Sequence, residues 1–121
     1  ILNPGSVGLP LDGVAGACYM ILDGDDSGWT PTFRRVPYDI TPLFERFDAD
    51  DFLNTVGADG LLLMREFRTC RPQIAIFNQW YAENHAGEPR SLALIEDFFA
   101  QDITESRMFF DYLPENITIL A

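Results

Sequence analysis

ACYMILDGDDSGWTPTFRRVPYD, Ala17 to Asp39, holds the change of style on which the fold turns. Its first third, Ala17 to Gly24, is a short apolar run with Tyr, Ile and Leu, bounded by glycines, which reads as a strand buried on both faces. The middle, DGDDSG, is turn chemistry, because Asp and Gly tolerate left-handed backbone at little cost. The last third resumes in an aromatic and β-branched pattern, with Pro31 placing its start at a sheet edge. Together these segments predict an antiparallel hairpin, Ala17–Leu22 against Thr32–Val36. After Asp39 the spacing becomes helical, so the chain reads as α+β.

Outward toward the C-terminus, Thr41-Pro42 supplies an N-cap followed by a proline at the first helical position, ahead of Leu43, Phe44 and Phe47. A second short helix is expected from about Asp50 to Gly57. Leu61–Thr69 reads as a helix, after which Pro72 either starts the next one or kinks a longer one. Ile76, Phe77, Trp80 and Tyr81 share a helical face. Gly87 and Pro89 stop that helix, and Leu92, Ile95, Phe98 and Phe99 form the apolar stripe of another. Ser106 to Leu113 suggests a last short helix ended by Pro114, with residues 115–121 as a tail or a terminal strand. Two zones result: β structure in residues 1–40 and helices in residues 41–121.

Composition narrows the partners. The chain has 121 residues and 47% apolar content, including ten Phe, two Trp and four Tyr, enough for one domain with a sizeable core. Its net charge is −11, and all eight basic residues are Arg. This balance disfavours nucleic acid and anionic membrane surfaces as main partners. No run has the length of a membrane span and no leader pattern is visible, which points to a cytoplasmic protein. Cys18 and Cys70 lack CxxC or Cys/His spacing and read as buried apolar thiols.

The chemistry-bearing residues are few. His85 is the one histidine, and its place at a helix end suits the helix dipole better than catalysis. Asp25-Asp26 and Asp50-Asp51 fall at a turn and a helix start, where solvated carboxylates are ordinary. Ser6 lacks the G-x-S-x-G frame and any base except His85. The stretch NPGSVG, Asn3 to Gly8, has neither the Gly-Lys-Ser/Thr of a phosphate loop nor GxGxxG spacing. No catalytic residue and no metal ligand is therefore assigned in this chain.

The order of fragments says more than any one of them. ILNPGSVGLPLDG (1–13), the strand ACYMILDG and FRRVPYD, ending in Arg-x-x-Tyr-Asp, together resemble the segment after the last metal-binding motif of small calcineurin-like metallophosphoesterases. The likeness covers about residues 1–40. Leu11 stands where that family often has Arg, and no motif is recognised in residues 41–121. The resemblance implies a four-layer α/β/β/α sandwich around two divalent metal ions, Mn, Fe or Zn. Its Asp-x-His, Gly-Asp, Gly-Asn-His and Gly-His-x-His ligands would all precede Ile1. This chain would then be the C-terminal part of a hydrolase of phosphate mono- or diesters, inactive alone, with the missing N-terminal part of the sandwich as its partner. Asn3, Gly5, Ser6 and Gly8 would line or support the wall of the active site. Two other readings use the same residues: a noncatalytic α+β interaction module, docking a partner or self-associating as a homo-oligomer, and a degenerate phosphoesterase kept for regulation.

Overall fold

A computed structural model of the chain describes residues 1–101. They form a small α+β fold: a two-stranded antiparallel hairpin followed by five helices. The helix expected at Ser106–Leu113 and the segment 115–121 lie outside the described residues.

The strands are β1 (Ala17–Asp25) and β2 (Gly28–Val36), joined at Asp26-Ser27. The register runs from Ala17 opposite Val36 to Asp25 opposite Gly28, so the hairpin is longer than predicted and includes most of the expected turn. Asp25 shapes the turn by accepting the Ser27 hydroxyl and, at 2.8 Å, the Ser27 N–H; these bonds hold its carboxyl below the usual range. The Trp29 ring lies over Gly24 opposite it: a Cβ there would come 2.6 Å from Cζ3, so a side chain at this position would displace the ring. Pro31 sits mid-strand opposite Leu22.

The prediction that β1 is buried on both faces is not met within the described residues. Cys18 alone of its side chains is buried, while Tyr19, Ile21 and Leu22 are exposed. The physical reason is that the apolar helical faces are used on one another and leave the hairpin little cover.

The helices are α1 (Thr41–Ala49), α2 (Phe52–Val56), α3 (Asp59–Thr69), α4 (Gln73–Asn84) and α5 (Leu92–Ala100). Thr41 is not the N-cap of α1: Ile40 holds that position, and Asp39 accepts the Thr41 N–H at 2.9 Å. Gly57 ends α2, as expected. At the α3–α4 corner Cys70 adopts left-handed backbone and Pro72 precedes the first residue of α4, so the proline starts a new helix. Ser91 caps α5 through its hydroxyl, which accepts the Leu94 N–H.

The core is made by α3, α4 and α5. Leu62, Ile76, Phe77, Trp80, Leu94, Ile95 and Phe98 are buried together, with Leu61, Tyr81 and Phe99 packed around them. Phe77 is completely buried and touches Trp80, Tyr81 and Phe98 ring to ring. Leu92, predicted for this stripe, is exposed; Leu94 takes the place, because α5 turns that side to its neighbours. A second aromatic group, Phe44, Phe47, Phe52 and Phe67, ties α1 and α2 to α3. No helix among the described residues is long and apolar enough to cross a membrane.

Candidate functional site: the N-terminal loop and its clamp

The loop Asn3–Gly8 is built by its own side chains. Asn3 Oδ1 accepts the Gly5 N–H at 2.9 Å, the self-bonded turn for which Asn is suited. Gly5 follows with φ +92°, and a Cβ there would sit 3.2 Å from Cys18 Cβ, so both conformation and space demand glycine. The Ser6 Oγ accepts the Leu9 N–H at 2.9 Å, and its carbonyl accepts the Cys18 N–H at 3.0 Å. Gly8 has open space around its Cα, and its role lies in its carbonyl, described next.

That carbonyl is held from β2's end. Tyr38 donates its hydroxyl to Gly8 O at 2.8 Å. Three residues earlier Arg35 reaches, from the strand itself, the continuation of this loop that leads into β1. Its Nη1 donates to Asp12 Oδ1 at 3.0 Å and to the Val14 carbonyl, and its Nη2 pairs with Asp12 Oδ2. The Arg35 side chain is only 3% exposed and that of Asp12 22%, which makes this the most sheltered ion pair among the described residues. Hydrogen bonding to Asp12 raises the guanidinium above its ordinary pKa. A two-pronged Arg–carboxylate contact fixes orientation as well as distance. Gly16 makes room for it: a Cβ would come within 2.8 Å of Arg35 Cγ.

Arg35, Tyr38 and Asp39 of the strand-ending motif therefore each have a task. Arg35 clamps the second half of the loop, Tyr38 its first half, and Asp39 the start of α1. The loop is joined to the helices as well, since the Gly13 N–H donates to the Cys70 carbonyl at 2.7 Å, at the α3–α4 corner. That corner is closed from within by Glu66, whose Oε1 accepts the Ile74 N–H in the first turn of α4. Burial pushes the Glu66 carboxyl above its usual range. Burial likewise raises the Cys70 thiol.

Sequence reading picked out Asn3, Gly5, Ser6 and Gly8, and the structure brings these four into one turn. It missed Asp12 and the roles of Arg35 and Tyr38. No local pattern announces this pair, because only the folded hairpin brings the strand's Arg beside the loop's Asp. The remaining candidates stay apart. His85 ends α4, close to Glu88 at 3.2 Å and against the Trp80 ring. Asp25-Asp26 and Asp50-Asp51 lie on exposed turns and helix ends. Cys18 and Cys70 are buried free thiols. Among the described residues no three or more His, Cys, Asp or Glu side chains are grouped to hold a metal ion. What the site does chemically is thus positional: it fixes the path of a glycine-rich loop.

In comparisons with known proteins, no family model matches the chain. No curated protein and no solved structure matches it either.

Proposed function

We propose that this chain is the C-terminal part of a calcineurin-like metallophosphoesterase, supplying the closing hairpin of its sandwich and a wall of its active site. The observation that carries the reading is the clamp. The two motifs of the resemblance, Asn-Pro-Gly-Ser-Val-Gly and Arg-x-x-Tyr-Asp, meet in space through Tyr38 and Gly8, with Arg35 and Asp12 beside them. A second support is the bare hairpin. Ile21, Leu22 and Trp29 are exposed on its two faces, and a hairpin of this kind is marginal without further strands. Strands from an upstream part of the same sandwich would cover them.

On this reading the ligands of the two-metal centre belong to residues preceding Ile1, and the described residues hold no grouped set of donors for it. The divalent pair, when bound there, supplies an activated water and charge stabilisation for phosphoryl transfer. Asn3, Gly5, Ser6 and Gly8 set the course of the backbone beside that centre, and Arg35 and Tyr38 keep it there. The substrates are phosphate mono- or diesters.

The exposed hairpin also suits the reading as a noncatalytic interaction module. The coding sequence upstream of Ile1 separates the two. A Gly-His-x-His motif about ten to twenty residues before Ile1, at the family's spacing, supports the esterase. A start codon there overturns it, as does manganese-dependent hydrolysis of bis-p-nitrophenyl phosphate by residues 1–121 alone. An upstream sandwich with broken ligand motifs would indicate the regulatory form and overturn catalysis.

A further inference from the structure

At the edge of the core, α3 pairs charge with apolar surface in a way that the proposed function does not use. Leu61, Met64, Arg65, Arg68 and Thr69 of α3, with Phe99 of α5, line an open cleft of about 450 Å³. Its volume falls in the ordinary range for small-molecule sites. The lining is apolar except for two guanidinium groups one helical turn apart and the Thr69 hydroxyl, which bonds back to the Arg65 carbonyl.

Both arginines are unusual in this chain. Acidic residues outnumber basic ones 19 to 8, yet neither guanidinium forms an ion pair among the described residues. Each is parked on an aromatic ring instead: Arg65 lies 4.3 Å from the Phe99 centroid and Arg68 4.7 Å from the Phe44 centroid. A ring face engages the π-surface of a guanidinium and leaves its in-plane N–H donors for an oxyanion. Like charges at i, i+3 weaken a helix, an effect that a shared anion would reverse. The cleft thus joins apolar walls to two positioned donors in a protein whose overall field favours cations.

We propose that this cleft binds a single-chain amphiphile with an anionic oxygen head, an alkyl phosphate or an acyl carboxylate. The chain lies against Leu61, Met64 and Phe99, and the head bridges Arg65 and Arg68. Calorimetric titration of residues 1–121 with octyl phosphate and octanoate, below their micellar range, tests it. Inorganic phosphate and octylammonium serve as controls for head and chain alone. The expected result is saturable one-to-one binding of at least one anionic amphiphile, about tenfold or more tighter than either control; the tighter head identifies the natural class. Shifts in the methyl signals of Leu61 and Met64 and the ring signals of Phe99 locate the site in the unaltered protein. The variant Arg65→Gln/Arg68→Gln keeps helix-compatible side chains and should lose about tenfold in affinity. No saturable binding, binding matched by octylammonium, or shifts confined to other residues overturns the proposal; if the double variant misfolds, the shift map of the unaltered protein decides.

Discussion

The first 40 residues and the helices after them are held together by different means. In α3, α4 and α5 seven apolar side chains are buried in contact with one another, and the polar groups around them serve as caps and corner ties. In the loop and hairpin the buried side chains include one thiol and one arginine, while most of the apolar ones face outward. There the shape is set by directional bonds: Asn3 to Gly5, Ser6 to Leu9, Tyr38 to Gly8 and Arg35 to Asp12. A core made by burial tolerates small shifts in direction. A polar clamp tolerates few, because its bonds fix angle as well as distance.

The largest expected effect comes from the helical side. Phe77→Ala should cost about 3–5 kcal/mol, through lost burial and the cavity left among Trp80, Tyr81 and Phe98. Thermal denaturation should show the loss as a lowered Tm, and hydrogen exchange should show α3, α4 and α5 losing protection together. Asp12→Ala comes next, at about 3 kcal/mol, because it leaves the buried Arg35 charge without its carboxylate. Its mark is local: amide protection should fall in the loop and in β1 and β2, while that of α4 and α5 is kept. If α4 and α5 open to the same degree, the two regions are one cooperative unit and the contrast between them fails.

The five described helices and most of their core were legible in the sequence, because 3.6-residue spacing reports burial directly. Ile76, Phe77 and Trp80 read as one face and are one face. The error at Leu92 came from a wide stripe with Leu92 at one edge and Leu94 at the other, and only packing chooses which edge is covered. The turn at Asn3 and Gly5 was legible too, since Asn and Gly state their local conformation. Their partners were not. Arg35 and Asp12 lie 23 positions apart, and no periodicity links a strand residue to a loop residue that the hairpin later brings beside it. The exposure of Ile21 and Leu22 was misread for a related reason: an apolar run shows that a segment suits burial, and what covers it is decided elsewhere.

Two smaller effects sharpen the comparison. Tyr38→Phe removes one hydrogen bond at an exposed site and should cost about 1 kcal/mol or less, with increased exchange at Ser6 to Leu9 as its sign. Glu66→Gln should act in the opposite direction at neutral pH. Burial raises the Glu66 carboxyl in the folded state, so the folded protein keeps this proton to higher pH than the unfolded chain does. The resulting stability is full below the unfolded value near ~4 and is lost as pH rises through the folded one. Gln keeps an oxygen for the Ile74 N–H and has no charge to bury. Its Tm should therefore exceed that of the parent at pH 7 and converge with it in acid; an advantage that persists unchanged at pH 3 would rule out ionisation as the cause.

The most direct measurement is manganese-dependent hydrolysis of bis-p-nitrophenyl phosphate by three proteins: residues 1–121, the same chain with its upstream coding sequence, and that longer chain carrying Asp12→Ala. The account predicts turnover by the longer chain, none by residues 1–121, and a reduced rate in the variant with its metal content unchanged. Turnover by residues 1–121 alone, an inactive longer chain, or an Asp12→Ala rate equal to that of its parent would contradict it.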